Sequence, residues 1–504
     1  MKKSTLVLCS FIVLKFVLQY LVVNPVYELH RDEYLHLDQA KHLAWGFHSV
    51  PPVTSWVSWL ILQLGNSYFW VKFFPALFGA LTILVVWKTI ESLKGNLFAC
   101  ILAATALLFS VLVRINILYQ PNSLDILCWT LVYYTLIRYS QTQDYKWAYF
   151  MAICFAIGFL NKYNIAFCAM GLIPGALLSE QRKLFFRPKF FLALILALAL
   201  ISPNLIWQWQ NEFPVIDHMK ELKETQLVHV SAMDFVREQF FFFIGSLFII
   251  IIGFISFFVY QPFKRYRFLF FAYVFTIVLF VYFNAKGYYA IGLYPIFFAF
   301  GSIYIGRLLA EGWKYKLRYV AVAIIILLFI PISIIALPLE TPAKYAEYAK
   351  QHKPFSEHKW EDGRTYPIAQ DFADMLGWEE LARKTDSLYK NLNDPEHTFI
   401  LCDNYGQAAA INYYTKIKGL QANSFSTDYD RWMDLETPIR TMIRIKEFEN
   451  KSLVQEQQIF EKITLAAEIE NEYAREKGTQ VLILELPKID INKGLKAEIN
   501  RRNN

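Results

Sequence analysis

Charge is scarce in this sequence: only 18% of its 504 residues are Asp, Glu, Lys or Arg, where soluble domains carry about a quarter. Cysteine is scarcer, with 6 residues and no CxxC pair. Cys9, Cys100, Cys128, Cys154 and Cys168 fall in or beside apolar runs and Cys402 stands alone, so both a disulfide framework and a thiolate zinc site are disfavoured. Gly and Pro are thinly spread, which excludes collagen-like repeats, and neither an internal repeat nor a low-complexity linker occurs. What fills the chain instead is apolar: 56% hydrophobic and 17% aromatic. That is more apolar surface than a globular core can hide, and it excludes intrinsic disorder.

The scarce charge is unevenly placed. Residues 338–504 hold 23 Lys/Arg and 28 Asp/Glu, leaving 27 and 15 for residues 1–337. The first part is therefore basic by 12 charges and the second acidic by 5. A membrane-spanning helix needs about 20 mostly apolar residues. On that rule eleven spans are expected near 5–24, 70–88, 96–113, 122–138, 147–160, 164–180, 190–207, 238–260, 267–284, 289–308 and 319–337. The first is too long for a signal-peptide core and no small-residue cleavage site follows it, so it reads as a retained anchor.

The expected fold class is an all-α polytopic membrane protein with about 11 transmembrane helices and a small C-terminal α/β extracytoplasmic domain. The expected division is 1–337 for the membrane part, with a first outer loop at 25–66, and 338–504 for the tail. With the N-terminus cytoplasmic, inner segments carry 17 basic residues, from Lys2 and Lys3 through Arg187 and Lys189 to Lys316 and Arg318, and the longer outer segments only 8. That bias follows the positive-inside rule and puts the tail outside. Carboxylates run the other way. Glu28, Asp32, Glu33, Asp38, Glu212, Asp217, Glu221, Glu224 and Asp234 fall on outer loops, and only Glu91, Asp144, Glu180 and Glu311 on inner ones. Acid–base chemistry is thus expected on the outer face.

In the tail, 397–405 and 479–487 read as buried strands. Segments 406–416, 371–390 and 440–477 read as helices. In the first outer loop, apolar residues recur at three and four from Glu33 onward (Tyr34, Leu37, Ala44), which predicts an amphipathic helix along the membrane surface. His30, Arg31, Asp32 and Glu33 then stand at its N-terminal end, where the helix dipole favours carboxylates.

The stretch HRDEYLHLDQAKHLAWGFHSVPP resembles the first outer loop of bacterial glycosyltransferase family 39 enzymes, in the GT-C superfamily. These are relatives of dolichyl-phosphate-mannose-protein mannosyltransferases and lipid A aminoarabinose transferases. Asp32-Glu33 and Pro51-Pro52 match the family's pairs in type and spacing. Residues 121–139, 158–167, 202–219 and 284–302 are similar to family segments in the same order, and DNYGQAAAINYYT (403–415) to the start of a tail in some members.

The resemblance implies a multi-pass enzyme of the cytoplasmic (inner) membrane. Its donor would be a polyprenyl-phosphate-linked sugar and its acceptor a lipid, polysaccharide or protein of the cell envelope, with no nucleic acid partner. Such transfer needs a carboxylate to accept the acceptor's proton and positive charge to hold the departing phosphate. Asp32 is the expected base, and Glu33 beside it would bind the acceptor or orient the site. Lys286, opening KGYY, is the first candidate for the phosphate, with Tyr288 or Tyr289 beside it; Lys162 in NKY and Arg114 follow. Asp125 lies near the mouth of a span, where a charge needs a partner; Arg114 or a metal would serve. His30, His36 and His48 share the first loop with the Asp-Glu pair. Asp32, Asp125 and His48 would supply oxygen and imidazole to a divalent metal ion, although their spacing fits no fixed ligand motif.

Three positions depart from the aminoarabinose transferase pattern: Leu35 stands where that group has Arg, and Ser49-Val50 where it has Glu-Lys. Two other classes share this composition, a flippase of lipid-linked sugars and a non-catalytic membrane scaffold. A transporter would carry ionisable residues mid-span, and only Lys15 and Lys72 approach that.

Overall fold

The computed structural model describes residues 3–179, 181–352, 358–450 and 452–502, so Lys2 and Glu180 of the charge pattern lie outside it. The chain divides into two compact units. The first comprises Met1–Val23, Val50–Thr54 and Ser67–Leu339; the second comprises Asn24–Ser49, Ser55–Asn66 and Glu340–Asn504. The loop after the first apolar run therefore contributes most of its residues to the tail's unit.

The first unit is helical, with a helix at each of the eleven apolar runs. Lys3–Leu21, Tyr68–Ser92, Pro188–Gln210, Gln261–Tyr282 and Gly312–Ala336 are long and apolar enough to cross a membrane. Gly287–Leu293 and Pro295–Leu308 pass the same test together but are bent by 51°. The break falls at Pro295, which has no N–H to continue the ladder and opens the second helix instead. Leu97–Leu108, Lys146–Asn161, Ile165–Leu177 and Leu247–Val259 are shorter apolar helices. Lys15 is buried in the first helix and donates to Gln19 Oε1 at 2.7 Å, while Gln19 donates to the Val113 carbonyl at 3.2 Å. Its charge is thereby spent on local hydrogen bonds, as an amine away from water requires.

Helix Ile165–Leu177 packs closely on Arg267–Tyr282 through Gly171 and Gly175, the small-residue spacing that lets membrane helices approach.

The second unit holds a five-stranded mixed sheet: β1 (Thr398–Cys402), β2 (Ala422–Ser424), β3 (Thr441–Lys446), β4 (Phe460–Glu468) and β5 (Gln480–Pro487), in the order β2-β1-β3-β5-β4. β1 runs parallel to β2 and β3, and β5 antiparallel to β3 and β4. Helix Tyr405–Tyr414 provides the crossover from β1 to β2 that a parallel pair needs. The strands expected at 397–405 and 479–487 are β1 and β5. The helix expected over 440–477 is instead β3, a short helix Val454–Ile459, and β4. Residues 464–468 contain good helix formers, but pairing with β5 overrides that propensity. Segment 371–390 breaks at Gly377, whose φ of +85° is left-handed, and resumes as Trp378–Lys390.

The first-loop helix is Arg31–Gln39, and its residues from Glu33 to Gln39 are all buried. It is enclosed by the tail's elements rather than laid along a surface. Tyr34 packs edge-on to Trp378 and Tyr413, and its hydroxyl bonds Tyr414 at 3.0 Å. On the face read as water-facing, Asp38 Oδ2 accepts from Asn412 at 2.7 Å and from the Tyr429 hydroxyl at 2.9 Å.

A Cβ at Gly175 would stand 2.6 Å from the Phe268 carbonyl oxygen and 2.8 Å from the Ala272 nitrogen. Gly175→Ala should thus cost about 1–3 kcal/mol by overpacking; thermal unfolding of the full chain in detergent should show a lowered Tm.

Candidate functional site

In the second unit the chemistry gathers at the N-terminus of Arg31–Gln39. His30 caps this helix: its Nδ1 accepts from the Asp32 N–H at 3.2 Å, and the Glu33 carboxylate reaches back to the His30 N–H at 2.6 Å. Glu33 is completely buried in that role. Sequence reasoning set it beside Asp32 to bind the acceptor or orient the site; here its carboxylate closes the capping box. Asp32 keeps one-third of its side chain exposed.

A chain of polar contacts runs through Asp32. The Arg31 guanidinium donates to the Tyr405 hydroxyl through Nε at 2.9 Å and Nη2 at 2.6 Å. The Tyr405 hydroxyl in turn donates to Asp32 Oδ1 at 2.7 Å. Arg31 Nε also lies 3.7 Å from that oxygen, and His30 Nδ1 3.8 Å from Oδ2. Behind them Asp374, itself buried, faces His30 Nε2 at 3.5 Å and Arg475 Nη1 at 3.3 Å. Burial alone would raise the Asp32 carboxyl. Its neighbours His30 and Arg31 and the Tyr405 hydroxyl outweigh burial and hold it well below the usual carboxylate range. At neutral pH Asp32 is an anion that only accepts hydrogen bonds, the state from which a general base starts. His36 is buried, bonds Gln39 at 3.2 Å, and is shifted down by that burial, which favours the neutral ring. The His48 N–H donates to Asp428 Oδ1 at 2.8 Å.

In the first unit a second cluster forms where Lys146–Asn161 ends. Lys162 Nζ lies 4.4 Å from the centre of the Tyr289 ring and 5.1 Å from that of Tyr288, and donates to Asn122 Oδ1 at 2.6 Å. Asn164 Nδ2 bridges Asp125 Oδ2 at 2.9 Å and the Tyr289 carbonyl at 3.0 Å. Asp125 Oδ1 accepts from Trp129 at 3.1 Å. Asp125 thus takes its hydrogen bonds from Trp129 and Asn164, and Arg114 is not among its partners. Arg114 is half-buried on the short helix Leu112–Asn116. Lys286 donates to Gln226 Oε1 at 2.6 Å and lies within the electrostatic reach of Lys162.

The tyrosines expected beside Lys286 therefore stack on Lys162, and two ammonium groups share one neighbourhood, with Asp125 buried near Lys162 and the Glu238 carboxylate lying against Gly287.

Tyr405, Arg475, Asp374, Asn122 and Asn164 were not picked out from the sequence. Tyr405 lies inside the resembling segment DNYG, and Asn164 two residues beyond Lys162. A spacing argument finds ionisable groups more readily than the neutral donors that aim them.

Residues 49–207 match the family model described as dolichyl-phosphate-mannose-protein mannosyltransferase. A search of curated proteins finds no match. Among solved structures, the chain resembles ArnT from Cupriavidus metallidurans bound to undecaprenyl phosphate, with a TM-score of 0.62 at 12% identity, over 96% of this chain and 98% of that one. The same protein in its apo state gives a TM-score of 0.64, again at 12% identity over 96% and 98%. At that identity the likeness is one of fold. The resemblance to glycosyltransferase family 39 is borne out, and the chain is a multi-pass membrane protein, mostly helical, with a small sheet in its tail.

Asp428 is nearly solvent-free, and burial raises its carboxyl to about 7 against the partial offset of the His48 N–H. A folded state that holds a proton more tightly than the unfolded chain loses stability as pH rises from about 4, the unfolded value, to about 7. Thermal unfolding in detergent should give the unaltered chain a lower Tm at pH 8 than at pH 5. In Asp428→Asn, which still accepts from His48, that difference should shrink.

Proposed function

We propose that the chain is an integral membrane glycosyltransferase that moves a sugar from a polyprenyl-phosphate-linked donor to a lipid, polysaccharide or protein acceptor. In this reading the eleven apolar helices all span the cytoplasmic membrane, the N-terminus is cytoplasmic, and residues 338–504 are extracytoplasmic. The observation that supports it most is the match of residues 49–207 to a mannosyltransferase family, within a fold shared over 96% of the chain with a protein solved with undecaprenyl phosphate.

The step is a direct displacement at the anomeric carbon, with inversion. The acceptor oxygen forms its bond to that carbon as its proton passes to Asp32. The bond from carbon to phosphate oxygen breaks, and the electron pair leaves with the polyprenyl phosphate. Asp32 is ionised and, with a third of its side chain exposed, open to receive the proton, while Glu33 fixes the helix end that carries it. Lys162 and Lys286 carry the phosphate's growing charge, with Tyr288 and Tyr289 holding the Lys162 ammonium and Arg114 adding positive charge from its own helix. Asp125, through Asn164, braces the backbone at Tyr289. His48 has a supporting place beside Asp428. Should a divalent ion take part, Asp32, Asp125 and His48 offer the oxygen and imidazole chemistry for it.

Purified full-length protein in nanodiscs, given radiolabelled polyprenyl-phosphate sugars and acceptor, tests this reading. Asp32→Asn should slow transfer at least about 100-fold. Lys162→Ala and Lys286→Ala should each weaken donor use about 10-fold or more, as loss of a charge-assisted phosphate contact does. Labelled lipid that crosses between leaflets with its sugar–phosphate bond intact would instead mark a transporter. A reporter fused at residue 400 should be found outside the cell membrane.

A further inference from the structure

Resting on the reading of Asp32 as the base, we infer that Tyr405, at the first turn of the tail helix Tyr405–Tyr414, is a positioning residue for that carboxylate. The phenol has one proton and two lone pairs. Two N–H groups of one guanidinium point at its oxygen, Nε at 2.9 Å and Nη2 at 2.6 Å. With its acceptor capacity taken by Arg31, the hydroxyl can only donate, and the group it meets is Asp32 Oδ1 at 2.7 Å. The Arg31 guanidinium also lies 4.6 Å from the centre of the Tyr405 ring, so charge and ring hold each other in register.

The helix that carries Tyr405 is fixed independently of this contact. Asn404 caps it by accepting from the Gln407 N–H at 3.0 Å, and the Gln407 side chain accepts from the Asp403 N–H at 3.0 Å. Gln407 also donates to Glu476 at 2.6 Å, and Ala408, Ala409 and Ala410 are fully buried. The hydroxyl is therefore presented from a rigid frame. It can fix the rotation of the Asp32 carboxylate, which has a third of its surface in solvent and lies farther, 3.7 and 3.8 Å, from Arg31 and His30. The tail thus acts on the chemistry through one hydrogen atom.

Removing that hydrogen separates a positioning role from a structural one. In the nanodisc assay Tyr405→Phe should lower kcat about 10- to 100-fold, the scale on which a misoriented reacting group loses rate, while the donor KM stays within about twofold. Tyr414→Phe removes another partly buried hydroxyl from the same helix, the one bonded to Tyr34, and should leave both constants unchanged. A Tyr405→Phe protein with an undiminished kcat overturns the inference. So does a loss expressed in KM alone, or one that Tyr414→Phe reproduces. Asp32→Asn run alongside keeps the two claims apart. An inactive Asp32→Asn beside an unaffected Tyr405→Phe sinks only the positioning role, whereas an active Asp32→Asn removes the base and this inference together.

Discussion

A nine-residue helix does not hold itself together in water, and Arg31–Gln39 persists because the tail supplies partners for the polar groups it buries. Asp38 is matched by Asn412 and Tyr429, Tyr34 by Tyr414, and Arg31 and Asp32 by Tyr405. Without these contacts a row of buried donors and acceptors would each cost about 1–3 kcal/mol. Among these contacts the Tyr405 hydroxyl bears on the Asp32 carboxylate itself, while the others hold the helix that carries it. Glu33 shows the division of labour between adjacent acids: one is consumed in closing the helix end, and the other is left with exposed surface.

The first unit solves a different electrostatic problem. Lys162 has left bulk water, and it is met by the faces of two aromatic rings, one amide oxygen and the field of Asp125. Ring faces attract a cation without neutralising it. Its charge therefore remains to act on whatever anion approaches, which a tight carboxylate pair would have prevented. Asp125 is kept at one remove, its oxygens taken by an indole and an amide.

Apolar length and periodicity made the helices legible in the sequence, because burying each run in lipid or against a neighbour depends on local composition alone. The Asp-Glu pair, the two lysines and the tyrosines were legible as residue types in a familiar order. Their partnerships were not. Tyr405 stands 373 positions from Asp32, and its role depends on which element the tail folds against. The expected surface helix failed for the same reason: a polar face is destined for water only until another part of the chain offers hydrogen bonds to it. Residues 440–477 were misread because helix-forming residues in β4 yield to an edge of sheet that only exists once β5 arrives.

The second unit is assembled from stretches that are far apart in the order of synthesis. Residues 24–49 and 55–66 leave the ribosome nearly three hundred residues before Glu340. At a translation speed of about 5–20 residues per second, the Arg31–Gln39 segment waits roughly 20 to 75 seconds for Tyr405, 373 positions later. Through that interval it can be only a wet, fraying loop. The carboxylate at Asp32 acquires its fixed aim late, when the tail folds, so a chain made only as far as its helices already holds Lys162 and Lys286 but not yet a directed acid.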